Sequence, residues 1–337
     1  MLKTIIIFAL FATFSYAKEV VNVYSHRHYE VDKQLYKKFE QQSGIEVNLI
    51  KASSAELIKR IEKEGAYTKA DVLLTTDVGM LELARSKGIF QSIDSKFLNE
   101  TIPLHLKDKE NSWFGLTKRA RVIAYNLDAI SKEELTNYEA LTEPKYKNRV
   151  LITKSNEVYN QSLLASFIVQ NGEESALMWA KKMKENMARK PTGVDKDSLR
   201  AVAAGIGDVA VVNTYYIGQM KNEKNSSDKE AAELIGVFFP NQGANERGTH
   251  INVSGAGVIK ESKNKANAIK FIEFLASVEA QEEFSAVNFE YPVNEKAKVS
   301  DLLLSWGSFK EDTTSLYEIG TKNSNAVKIF HQVGWDE

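Results

Sequence analysis

The sequence has 337 residues, 44 basic and 45 acidic side chains, a formal net charge of −1, and no cysteine. A chain this close to neutral has no basic stripe of the kind nucleic acid requires, so nucleic acid is not expected as a partner. Hydrophobic residues at 43% and aromatic residues at 10% exclude a disordered, collagenous or coiled-coil chain and leave ample material for a packed core.

The first element in chain order is an address. Lys3 supplies a positive start, residues 5–14 a short apolar stretch, and Ser15-Tyr16-Ala17 a small-residue exit, the pattern of an export signal over residues 1–17. Residues 18–337 remain, roughly two domains at about 150 residues each. No later apolar run approaches the roughly 20 residues that a spanning helix needs, so no membrane insertion is expected. Without cysteine there is neither a lipid-attachment motif nor a disulfide. The reading is a protein free in the periplasm and stable without cross-links.

Beyond the leader, the apolar period switches between 2 and 3.6. Strands are expected at 20–24, 46–50, 71–75, 121–125, 149–153, 208–213, 236–239 and 252–259. Helices are expected at 29–42, 55–64, 79–87, 161–170, 173–187, 197–204 and 266–276. Ser43-Gly44, Lys87-Gly88 and Asn171-Gly172 mark helix stops. The polar run at 221–230 reads as a solvated loop or helix start. Alternating strands and helices predict an α/β fold with mainly parallel sheets. No Pro/Gly/Ser linker divides the chain, which suits two lobes joined by strands that cross between them. The crossing candidates are 114–125 and 236–242. They divide the chain into a first lobe of 18–118 plus 242–290 and a second of 119–241 plus 291–337, with a cleft between them where a ligand is expected.

Tyrosines carry the chemical signal. His28 and Tyr29 follow the first strand, Tyr159 follows the strand at 149–153, and Tyr215 and Tyr216 follow the strand at 208–213. Each lies at the carboxyl end of a predicted strand, where open α/β sheets place their ligands. Half-buried packing or a sugar-stacking wall also suits these rings, and His26-x-His28 suggests a fragment of a zinc or copper site. An aromatic cage for an organic cation or polyamine is a further alternative, with Glu157 and Asp77 as its carboxylates. Ser254-Gly255-Ala256-Gly257 is not the strained elbow of a serine hydrolase, and no ordered nucleophile and base accompany it, so an enzyme is not expected. The guest that best explains several convergent phenols is trivalent iron. It is a hard Lewis acid that prefers anionic oxygen, and its charge can draw the proton from a phenol whose ordinary pKa is about 10. Arg27, Lys118, Arg119 and Arg121 are candidates to balance the phenolate charge.

At this point the residues resemble a family over nearly the whole chain past the leader: the periplasmic ferric-ion-binding proteins that serve bacterial ABC-type iron importers. The resemblance lies in YSHRHYEVDKQLYKKFEQQSGIEV from Tyr24, ADVLLTTD from Ala70, WFGLTKRARVIAYN from Trp113 and SNEVYNQSLLAS from Ser155. It continues through NTYYIGQM from Asn213, FFPNQGANERGTHINVSGAGV from Phe238 and FEYPVN from Phe289. It implies a bilobal periplasmic-binding-protein fold and Fe(III) as transported ligand. The implied donors are His28, Tyr29, Tyr159, Tyr215 and Tyr216, with His28 either coordinating in a closed form or standing behind the ligands. The transferrin-like branch adds a Glu in the segment matching residues 74–77 and an external anion. Here the nearest match is Thr76, so the resemblance is to the tyrosine-rich branch, whose donor set needs no such anion. A monomer that hands its iron to an ABC permease in the inner membrane is the implied mode of action.

Overall fold

The computed structural model describes residues 18–224 and 226–337, and the expected export signal lies outside them. The first lobe begins with a parallel core. Strands β1 (Val20–Ser25), β2 (Glu46–Lys51) and β3 (Val72–Thr75) pair in parallel with β1 in the middle, joined by α1 (Glu30–Ser43) and α2 (Ser54–Glu64). Each crossover helix forms because an apolar stripe recurs at helical spacing. Val31, Leu35, Tyr36 and Phe39 are buried on α1, and Leu57, Ile58 and Ile61 on α2. Gly44 ends α1 at φ 73°, a left-handed value that glycine adopts without steric cost. All four residues of β3 are buried, as befits a strand covered on both faces. α3 (Val78–Ser86) and α4 (Lys96–Thr101) follow.

The two lobes share one strand. β4 (Phe114–Asn126) pairs antiparallel with β8 (Ile251–Val258) from Phe114 to Ala120. From Arg121 onward it pairs with β6 (Val209–Asn213), and from Ile123 also with β7 (Ile235–Phe238). The change of partners between Ala120 and Arg121 lies within the crossing expected at 114–125. The second lobe adds β5 (Val150–Leu151), parallel to β6, with α5 (Val158–Glu185), α6 (Asp195–Ala203), α7 (Thr214–Lys221) and α8 (Ser226–Glu233). The chain returns from β7 to β8 through residues 239–250 rather than along one continuous strand. α9 (Lys265–Leu275), α10 (Val278–Asn288), β9 (Tyr291–Pro292), α11 (Asp301–Ser305), α12 (Leu316–Thr321) and α13 (Asn323–Val333) complete the order. α12 packs on both α3 and α5, and α13 on α5. No helix of the described residues is long and apolar enough to cross a membrane.

One expectation needs correction. The sheet is mixed rather than mainly parallel: β3–β8, β4–β6, β4–β7, β4–β8 and β4–β9 are all antiparallel. Burial on both faces yields the same continuous apolar run for either strand direction, so the sequence pattern does not carry the sign. The helix stop at Asn171-Gly172 is present as a break inside α5, where Gly172 takes φ 81° and ψ 166°.

Candidate metal centre

Each predicted donor stands where a strand has just ended and a helix begins. Tyr29 is the N-cap of α1, Tyr159 lies in the first turn of α5, and Tyr215 and Tyr216 lie in the first turn of α7. The amino ends of helices carry partial positive charge, so each phenol sits where an anion is favoured.

A single buried ion pair frames the three second-lobe phenols. The Arg121 guanidinium reaches Asp195 Oδ2 at 2.5 Å and donates to Asn160 Oδ1 at 2.7 Å. Asp195 Oδ2 also accepts the Asn213 N–H at 2.8 Å. The neighbour of Tyr159 and the N-cap of α7 therefore hang on one pair. Asp195 had no signal in the sequence, because its partners lie 74 and 18 positions away.

The first-lobe phenol has a frame of its own. The Tyr29 N–H donates to Asp32 Oδ2 at 3.0 Å, and Asp32 Oδ1 accepts from Arg27 Nε at 2.8 Å. The Arg27 guanidinium lies 5.2 Å from the Tyr29 ring centre and is paired with Glu290 through both terminal nitrogens, at 2.9 and 2.8 Å.

The four tyrosines meet. The Tyr215 hydroxyl donates to the Tyr159 hydroxyl at 3.1 Å. The Tyr29 and Tyr215 rings meet edge to face with centroids 6.2 Å apart, and Tyr215 and Tyr216 are 4.2 Å apart. Tyr215 is buried at 2% exposure, while the other three are half-buried. His28 stacks on Tyr29 at 5.1 Å but is itself exposed. Its Nδ1 lies 3.3 Å from the His26 carbonyl, which can only accept, so this contact leaves Nε2 as the lone-pair nitrogen. His26 turns its Nδ1 toward the Ser54 and Thr76 hydroxyls, and among the described residues it belongs to no group of three or more His, Cys, Asp or Glu side chains that could hold a metal.

Burial pushes the Tyr29, Tyr215 and Tyr216 hydroxyls above the ordinary phenol range, and the neighbouring Tyr159 pushes them further. Without a guest these three hydroxyls hold their protons at neutral pH. The basic residues differ in what they offer it. Arg27 and Arg121 are consumed by carboxylates, and Lys118 pairs with Glu311 at 2.6 Å. Arg119 remains. It is 1% exposed, sits 5.1 Å from the Tyr159 ring centre, and donates to the Thr76 carbonyl. Its nearest carboxylate, Asp77, is 3.7 Å away.

Asp77 is occupied. It accepts from Ser162 Oγ at 2.9 Å, Asn252 at 2.8 Å and the Gly79 N–H at 2.7 Å, and burial pushes its carboxyl up to about 6. It is not open to an organic cation, which leaves the half-buried Glu157 as the only one of the two expected carboxylates still open to one. Ser254 accepts from Arg27 at 2.9 Å, within β8, as a brace. Among the described residues no group of three or more His, Cys, Asp or Glu side chains could hold a metal. Oxygen donors for a metal at this point come from the phenols.

Comparison with known proteins matches residues 67–310 to the family of bacterial extracellular solute-binding proteins. The chain is 47% identical over 318 residues to iron uptake protein A1 of Synechocystis sp., covering 94% of this chain and 88% of the relative. It superposes with a TM-score of 0.90 on a Trichodesmium protein solved in complex with iron and citrate ligands, at 46% identity over 94% of this chain and 99% of that one. The ferric binding protein from Campylobacter jejuni superposes at 0.89 with 42% identity, over 94% of this chain and 99% of that one.

Proposed function

This chain belongs to the family of bacterial extracellular solute-binding proteins, and from that footing we propose that it captures ferric iron through Tyr29, Tyr159, Tyr215 and Tyr216. The observation that carries the reading is the single contiguous cluster of four phenols at three helix amino ends, with Arg119 over the Tyr159 ring. Relatives named for iron uptake and ferric binding support the same metal.

The chemistry follows from charge. Fe³⁺ displaces the phenol protons, because its field stabilises the phenolate far more than burial disfavours it. Four phenolates around Fe³⁺ leave one net negative charge, and the Arg119 guanidinium faces it. His28 closes the site from the rim through Nε2. With this donor set no external anion is obligatory. The task is capture and release, with no bond made or broken in a substrate, which agrees with relatives named for iron uptake and ferric iron binding.

We place the first lobe at 18–118 plus 242–290 and the second at 119–241 plus 291–337. His28 and Tyr29 then come from one lobe and the other three phenols from the opposite one. Iron draws the lobes together, and the closed form is what an ABC permease in the inner membrane accepts. The protein acts as a monomer in the periplasm after residues 1–17 are removed.

Titrating the metal-free protein with ferric citrate tests the reading. The expected result is a visible phenolate-to-iron charge-transfer band that saturates at one iron per chain, with tyrosine fluorescence quenched in step. A colourless protein that binds a polyamine instead would replace this reading with the organic-cation cage.

A further inference from the structure

The three residues that end α10 and follow it touch both tyrosine groups at once. Phe289 takes left-handed backbone at φ 57°, a conformation that is sterically unfavourable for a residue with a Cβ. Residues held this way persist where the surroundings impose them, and often at functional sites. The consecutive side chains explain what the turn achieves. Phe289 lies on Gly218 of α7, so close that a Cβ built there would stand 2.6 Å from Phe289 Cγ and 2.7 Å from its Cβ. α7 is the helix that carries Tyr215 and Tyr216.

Glu290 serves the other group. Fully buried, it takes both arms of Arg27 and accepts from Thr117 Oγ1 at 2.7 Å. Arg27 in turn holds Asp32, which holds the Tyr29 N–H. Asn288 joins the two ends. Its Nδ2 donates to Glu290 Oε2 at 2.8 Å, and its Oδ1 accepts from Gln219 Nε2 on α7 at 2.9 Å. An unbroken polar path therefore runs from Tyr29 through Asp32, Arg27, Glu290 and Asn288 to Gln219. The next residue, Tyr291, pins the segment to Lys118 of β4.

We propose that residues 288–290 form a strut that sets the spacing between Tyr29 and the Tyr215–Tyr216 pair, with Phe289 and Glu290 as positioning residues. Neither residue is a metal donor. The strut acts by fixing where the donors stand, through a wedge on α7 and a clamp under Tyr29. Its effect on iron rests on the proposed function, whereas its effect on spacing does not.

The test combines a wedge with its relief, in full-length protein labelled with 3-fluorotyrosine. Gly218→Ala is expected to shift the ¹⁹F resonance of Tyr29 in metal-free protein and to weaken ferric binding against citrate by about 10–100-fold, the range for losing an outer partner of a metal site. Adding Phe289→Gly removes both the ring and the Cβ that obstruct, suits the left-handed backbone there, and is expected to recover most of both changes, at equal folded fraction by near-ultraviolet circular dichroism. Asn288→Ala, which leaves no buried charge behind, is expected to move the same two readouts in the same direction by a few-fold, and it serves if the wedge variant does not fold. An unmoved Tyr29 resonance in both Gly218→Ala and Asn288→Ala would overturn the strut. So would a double variant no better than Gly218→Ala alone. A moved resonance in a protein that never binds ferric ion would uphold the strut and sink the iron reading instead.

Discussion

The two tyrosine groups are built on different principles. The second-lobe group of Tyr159, Tyr215 and Tyr216 is preassembled, with α5 and α7 tied to one Arg121–Asp195 pair and two hydroxyls in hydrogen-bond contact. The first-lobe group is a single phenol, Tyr29, with His28 exposed beside it. Preassembly lets one lobe seize a cation with little ordering cost at the moment of binding. A sparse opposite wall leaves something for closure to add. The comparison teaches that affinity should reside mainly in one lobe and the signal of occupancy mainly in the other.

The hardest blow to that division is Tyr215→Phe. Tyr215 is the phenol that touches both Tyr159 and Tyr29, so ferric affinity should fall by more than the roughly 10–100-fold that an outer partner costs, with the visible band lost or moved. Tyr29→Phe should cost less in affinity and more in closure, read as a smaller change in radius of gyration when iron is added. Next in size is the frame itself. Asp195→Ala strands a buried guanidinium, which costs about 3–5 kcal/mol in stability, measurable by denaturant unfolding. Replacing Arg119 by Met should weaken iron binding by about 10–100-fold and also destabilise the metal-free fold, because the buried Asp77 carboxylate and the Thr76 carbonyl lose their cationic partner.

Acidity sharpens the same contrast. The Tyr29, Tyr215 and Tyr216 hydroxyls have folded values raised above the ordinary phenol value of about 10. Metal-free protein therefore keeps their protons at neutral pH, and under the proposed function iron has to displace them. Ferric affinity should fall as pH falls, by about tenfold per unit for each proton displaced. In the metal-free fold the sign runs the other way. Stability is fully present below about pH 10 and is lost above it, because the unfolded chain releases phenol protons that the fold retains. Thermal melts of metal-free protein from pH 8 to 11 would test this second sign. The smallest effect belongs to His28→Ala, expected to change affinity less than tenfold, since the ring is exposed and joins only from the rim.

The legible and the illegible parts of this molecule separate by range. β1, β2, β3, β6 and β8 and helices α1, α2, α3, α6 and α9 were readable because apolar period and helix stops are local. α7 was not, because Thr-Tyr-Tyr-Ile-Gly is a poor helix former held by packing against β4 and β6. α10 and the two-residue β9 were also unread: the helix has no regular apolar stripe, and a strand that short has no period to detect. The tyrosines were visible by their place after strands. Their frames, Asp195 for one lobe and Asp32 with Glu290 for the other, left no trace, since a carboxylate that will meet an arginine 263 positions away resembles any surface acid. Lys118 and Arg119 show the same limit within one strand: neighbours in sequence, they point to opposite faces, and only Arg119 meets the phenols.

Anomalous diffraction at the iron edge, from crystals grown with ferric citrate, would locate the metal among the four phenols. One peak should stand in bonding distance of the Tyr29, Tyr159, Tyr215 and Tyr216 oxygens together. A peak bound elsewhere on the chain, or no peak in protein that is otherwise fully folded, would contradict the proposed function.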